Sequence, residues 1–245
     1  MGLVFAAALF FSLVAHGADC NALVLAQVRS MPFGGRYAAN AEALARFTGA
    51  VEIKDGALCV EALGTAPNFC SEATYLVFLK TIAEINFHPR LDPAVLDALR
   101  VGARQSDGHG VWGRWNANGP GTARFFYELG LGRNFEDFEQ ARPGDFMKIF
   151  WSREVGRLER GHSVIYLGRS VQDGVENVRF WSSNLPAGYG EKTVPRAKIA
   201  YAVFSRLEHP EALGRLPGLP GVDLYLSRLN AAASSVPEVR TQTGM

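Results

Sequence analysis

The stretch PNFCSEATYLVFLKTIAEI, from Pro67 to Ile85, decides how the rest of the chain is read. Pro67 interrupts whatever precedes it, and Asn68 offers a side-chain oxygen to a free backbone N–H, so the pair predicts a helix start. Cys70 then falls at about the second helical position. There, unpaired N–H groups and the positive end of the helix dipole favour a thiolate. Tyr75, Leu76, Val77, Phe78, Leu79, Ile82 and Ile85 are apolar on nearly every face, the pattern of a helix inside a fold. A thiol at the tip of a buried helix is one way to present a nucleophile. An inert core cysteine, or half of a disulfide, fits the same stretch.

The 245 residues carry a formal net charge of +1. That length holds one large domain or two small ones, and the balance lacks the basic excess expected of a nucleic-acid or anionic-membrane partner. At the N-terminus, MGLVFAAALFFSLVAHGADC is apolar and ends in small residues. Leu3 to Val14 is too short to span a bilayer but fits the core of a signal peptide, with Ala15-His16-Gly17 as cleavage pattern. Residues 1–17 are therefore expected to be removed, leaving a periplasmic or secreted chain without a membrane span. A lipoprotein attached through Cys20 sits badly with Asp19. Export permits disulfides, and Cys20, Cys59 and Cys70 are an odd number, so at least one is free or paired between chains. Cys20–Cys59 would leave Cys70 as a thiol; Cys59–Cys70 would consume it.

Working outward from the central helix, residues 20–32 and Ala39 to Phe47 read as short helices separated by the breaker Phe33-Gly34-Gly35. Val51-Glu52-Ile53 and Leu58-Cys59-Val60 flank the hairpin pair Asp55-Gly56. Asp92-Pro93 starts a helix to about Val101. Ser106 to Gly121, SDGHGVWGRWNANGPG, has no periodicity and predicts a long, functional loop. Asn118 and Pro120 then open a helix to about Leu131. The second half changes period: Asp145–Trp151, His162–Leu167, Val175–Ser182 and Ile199–Ser205 are rich in β-branched and aromatic residues. Ser152–Gly161, Gly168–Gly174 and Asn184–Lys198 are read as links. A helix from about Val222 to Asn230 and a polar tail close an α+β chain.

A cysteine nucleophile needs a base and a group to hold that base. Among the five histidines, His16 leaves with the signal, His88 and His209 adjoin prolines, and His109 sits in the glycine-rich loop. His162 begins a strong strand, a fixed mount from which its ring can face a helix tip. A satisfied, partly buried histidine fits that position as well. The next strand ends FWSSNLP, so Ser182 and Asn184 share a face and either can reach the ring; Asn184 also suits a turn.

Cys70-Ser71, then Pro143-Gly144-Asp145 entering a strand, then Gly161-His162-Ser163-Val164-Ile165-Tyr166-Leu167-Gly168, resembles the papain-like cell-wall hydrolases of the NlpC and CHAP type. The resemblance spans about Asn68 to Ser205. It implies a papain-like domain over residues 67–207, with the helix-borne cysteine packed on an antiparallel sheet of about four or more strands. An insertion at about 86–140, an extension at 18–66, and a helix and tail at 208–245 complete the organisation. Carried over, Cys70 is the nucleophile, His162 the base, and Asn184 in preference to Ser182 the third group. The backbone N–H of Cys70 supplies an oxyanion donor, and the Asn68 side chain is a candidate second one. Phe69 stands where the family usually has Asp, and the third position is not His, Glu or Asp.

The insertion is the expected substrate wall, with Trp112 and Trp115 stacking on sugar or peptide and Asn116 and Asn118 bonding to amides. A tryptophan pair packing as a satellite core is the structural alternative. Asp107 and His109 lack a third ligand, so neither metal nor other cofactor is implied. The expected activity is hydrolysis of an amide bond in peptide or peptidoglycan-derived substrate, with acyl transfer through the same thioester, or a non-catalytic cell-wall binding domain, as alternatives.

Overall fold

The computed structural model describes residues 19–85, 91–102 and 107–245; the expected signal peptide, His88 and Ser106 lie outside them. Helix α1 (Cys20–Ser30) is capped by Asp19, whose side chain accepts from the Asn21 N–H. Strand β1 (Gly34–Gly35) replaces the expected breaker, and α2 (Ala41–Gly49) follows with Asn40 as its cap. β2 (Val51–Lys54) and β3 (Ala57–Val60) form the expected hairpin, with Asp55 and Gly56 both at positive φ as a tight two-residue turn requires. α3 (Cys70–Ile85) is the central helix, nearly all of its first three turns buried. α4 (Pro93–Leu99) starts on Asp92 as read from the sequence.

Two differences follow in the insertion. Residues expected as loop form a short helix, α5 (Gly110–Trp115), and α6 (Gly121–Leu129) ends on left-handed Gly130. The order comes from Arg114, which is buried. Its Nε donates to Glu128 Oε2 at 2.8 Å, and its other nitrogens donate to the carbonyls of Gly108, Gly110 and Pro220. One guanidinium thus gathers a glycine-rich stretch that has no apolar periodicity to fold by.

The second half supplies β4 (Gly132–Phe135), β5 (Phe146–Phe150), β6 (Val155–Gly156), β7 (His162–Gln172), β8 (Val175–Asn184), β9 (Gly188–Pro195) and β10 (Tyr201–Leu207). After them come α7 (Leu224–Arg228), β11 (Ala233–Ser234) and α8 (Val236–Gln242). Among the described residues a seven-stranded antiparallel sheet runs β1-β9-β8-β7-β5-β10-β4. β9 lies in the stretch read as a link, because its glycines and proline mask the alternation that marks a strand. The polar tail holds a further helix. Its helix α8 is capped by Ser235 accepting from the Glu238 N–H, a Ser-x-x-Glu start visible in the sequence.

Alternation along β5 sends Phe146 to the side covered by α3 and Met147 and Ile149 to the other. The α3 side holds the main core, in which Phe78 and Trp115 meet Phe125, Phe126 and Phe146. The Pro143-Gly144-Asp145 step is structural. Asp145 is buried and takes Arg206 Nε at 2.8 Å, Arg206 Nη2 at 2.7 Å and Asn21 Nδ2 at 2.8 Å. Gly144, at φ +96°, leaves no room for a Cβ against the Asn21 backbone. α1, the sheet and this turn are pinned at one point.

Candidate active site

Cys70 is the first residue of α3, one position earlier than the spacing predicts. Phe69 is the true cap, since its carbonyl accepts the first helical bond, from Ala73 N at 3.0 Å. Asn68 therefore does not cap. Its backbone bridges to Tyr37, and both polar atoms of its buried side chain lack a partner among the described residues. The sulfur of Cys70 is free, as are those of Cys20 and Cys59, so neither pairing left open by the sequence occurs.

His162 is the first residue of β7, and the sheet register decides what stands beside it. Ile165 lies opposite Trp181, and continuing that register to the start of the strand sets His162 opposite Asn184. Asn184 Oδ1 lies 3.3 Å from His162 Nε2. The amide cannot be turned over, because its Nδ2 donates to Gly190 O at 2.8 Å and Ser182 O at 3.3 Å. Nε2 must then carry a hydrogen, which leaves Nδ1 for the sulfur. Ser182 is spent elsewhere: its hydroxyl donates to Ser163 O at 2.6 Å and is fully buried. Of the two, only Asn184 bonds to the ring.

The thiol's surroundings pull in two directions. Burial raises its pKa, but the hydrogen bond and charge of His162, the charge of Lys148 and the Ser163 backbone N–H outweigh this and bring it down to about 6. Two of its neighbours were not singled out from the sequence. Tyr37 accepts from the backbone N–H of Cys70 and donates to its sulfur, and burial together with the thiolate raises its own pKa. Lys148, on β5, is only 5 % exposed, and its Nζ donates to Ala117 O at 3.4 Å. Burial pushes the Lys148 ammonium down, opposed by the charges of Cys70 and Glu159. Gly161, at φ +81°, makes room for it: a Cβ there would stand 2.7 Å from both Lys148 Cε and Phe150 Cε1. The glycine before the histidine was the available sequence signal; the lysine was hidden inside an apolar run.

A cleft of about 640 Å³ opens over the sulfur, walled by Tyr37, Phe69, Trp112, Asn116, Asn118 and Lys148 among others. Trp112 reaches its wall but is nearly all buried against Phe47 and Tyr75. Trp115 does not reach the cleft. It lies in the core with its Nε1 donating to Thr74 Oγ1 at 3.1 Å, so the stacking role expected of it is corrected to packing. Asn116 Oδ1 accepts from Ser71 Oγ at 2.6 Å, and Asn118 Nδ2 donates to Asn230 Oδ1 at 3.0 Å. Asp107 pairs with His109 at the surface, and no cluster able to hold a metal ion occurs among the described residues. No family model, curated protein or solved structure matches this chain.

Proposed function

We propose that the chain is a thiol hydrolase of papain-like, NlpC/CHAP-type design that cleaves an amide bond through an acyl-enzyme. The observation that carries this reading is the Cys70–His162–Asn184 line, with the ring held in one tautomer by an amide that cannot flip. The thiolate adds to the amide carbonyl, and the carbonyl oxygen takes the negative charge. The Cys70 N–H at the tip of α3 and the Tyr37 hydroxyl, which bond to each other in the free site, the hydroxyl also to the sulfur, become the donors to that oxygen once it displaces those contacts. As the tetrahedral intermediate collapses, His162 gives its proton to the departing amine, leaving a thioester on Cys70. Water, deprotonated by His162, then releases the acid and restores the thiol.

Cell-wall peptide is the substrate class this family design suggests, and export is the matching location. The test is mass spectrometry of the full chain mixed with activated amide or ester substrates and quenched in acid. An acyl adduct on Cys70 that disappears with time, and is absent in Cys70→Ala, is the expected result. Turnover retained in Cys70→Ala would remove the reading.

A further inference from the structure

The cleft over Cys70 is one-sided in charge. None of the described residues lining it is Asp or Glu, while Lys148 and Arg160 both do so. Lys148 is buried, and among the described residues no carboxylate lies within ion-pairing distance of its ammonium. Glu159 acts on it only through space; its own oxygens accept from the N–H groups of Trp151 and Gly161. The exposed guanidinium of Arg160 likewise has no acidic partner among the described residues. By contrast, Arg114, Arg124, Arg169, Arg206, Arg228 and Arg240 all bond to carboxylates. Holding an ammonium out of water without a carboxylate is costly. Cys70 answers for one positive charge as a thiolate, and that answer is lost once the sulfur is acylated and neutral.

We propose that the cleft recognises a carboxylate on the substrate, flanking the amide that Cys70 attacks, through Lys148 on its floor and Arg160 at its rim. This rests on the thiol-hydrolase reading and names its substrate class: acidic peptides in preference to neutral ones. The substrate carboxylate faces Lys148 and Arg160 while the thioester forms, so the cations keep a counter-charge through the reaction. Asn116 and Asn118, also on the wall, add neutral polar contacts.

The experiment compares alkylation of Cys70 in the full chain by iodoacetate, which is anionic, and by iodoacetamide, its neutral isostere. Both reagents report the same thiolate, so their rate ratio isolates the pull of the cleft on a carboxylate. Relative to a small free thiol, the ratio is expected to rise by about tenfold, the low end of electrostatic focusing, and to shrink in salt. Lys148→Met and Arg160→Ala should each lower it and together remove most of the rise. Arg157→Ala, an exposed arginine outside the cleft wall, should not. Acetylated peptides with either a side-chain or only a terminal carboxylate identify the source of the charge by which of them protects Cys70. Equal protection by the uncharged Gln peptide amide counts against the proposal. A ratio no higher than that of the small thiol, or one that neither substitution moves, overturns it while leaving a reactive Cys70 intact. A Cys70 inert to both reagents removes the hydrolase reading and this proposal with it.

Discussion

Cys70 and Glu72 sit in the same first turn of α3, and the fold treats them oppositely. Burial raises the pKa of both. On the cleft side, His162 and Lys148 reverse the effect for the thiol and bring it to about 6. On the inner side, Glu72 meets no cation among the described residues. It accepts from the Phe69 backbone N–H and, at 3.4 Å, from the Tyr189 hydroxyl; its Oε2 has no partner among the described residues, and its pKa rises to about 9. The helix terminus is common to both residues. The tip of a helix is thus a permissive place for negative charge, and the strands facing it decide whether the charge forms.

The sharpest way to break that contrast is to remove the ring. His162→Ala should lower turnover by about 10³-fold and leave burial dominant at the thiol, so that the pH midpoint of Cys70 alkylation moves from about 6 to above that of a free cysteine. An unchanged midpoint would show that the helix tip, Lys148 and the Ser163 N–H activate the sulfur without the ring. Asn184→Ala comes next. It frees the ring to rotate and to change tautomer, and should cost about 10²-fold in kcat, read together with KM. Tyr37→Phe removes one of the two donors proposed for the oxyanion and should cost about tenfold or more in kcat with little effect on the bound substrate.

The inner side is tested by stability. Glu72 has a folded pKa above its unfolded value, so the folded chain holds the proton more tightly. Its contribution is full below the unfolded pKa, near 4.5, and is lost progressively as pH rises toward about 9. Glu72→Gln does not titrate. Thermal melts should therefore show the variant gaining on the parent as pH rises, reaching on the order of 5 kcal/mol at mildly alkaline pH. A parallel pH course for the two proteins would mean that Glu72 is not held neutral. The smallest effect is expected from Ser182→Ala, which loses its bond to Ser163 O at a cost of about 1 kcal/mol in stability, with turnover nearly unchanged.

Much of this was legible without coordinates. The apolar run after Cys70 demanded a buried helix, Asp55-Gly56 a hairpin, and Asp92-Pro93 a helix start, because each depends on the local chain alone. The β9 strand and the α5 helix were not, since glycine-rich segments take their shape from what they pair with. Trp115 could not be assigned to core or cleft from its spacing; packing against Phe78 and Phe146 decides it. Nor could Tyr37 and Lys148 be tied to Cys70, because the contacts join segments far apart in the chain.

By itself the sequence determined a cysteine at the tip of a buried helix and a histidine opening a strand, for helix and strand periodicity are properties of neighbouring residues. Only the tertiary structure decided that the two meet, that Asn184 and not Ser182 faces the ring, and that a buried lysine stands beside the sulfur. Strand register and burial are set by residues distant in sequence, and those two quantities fix which groups touch and which charges survive.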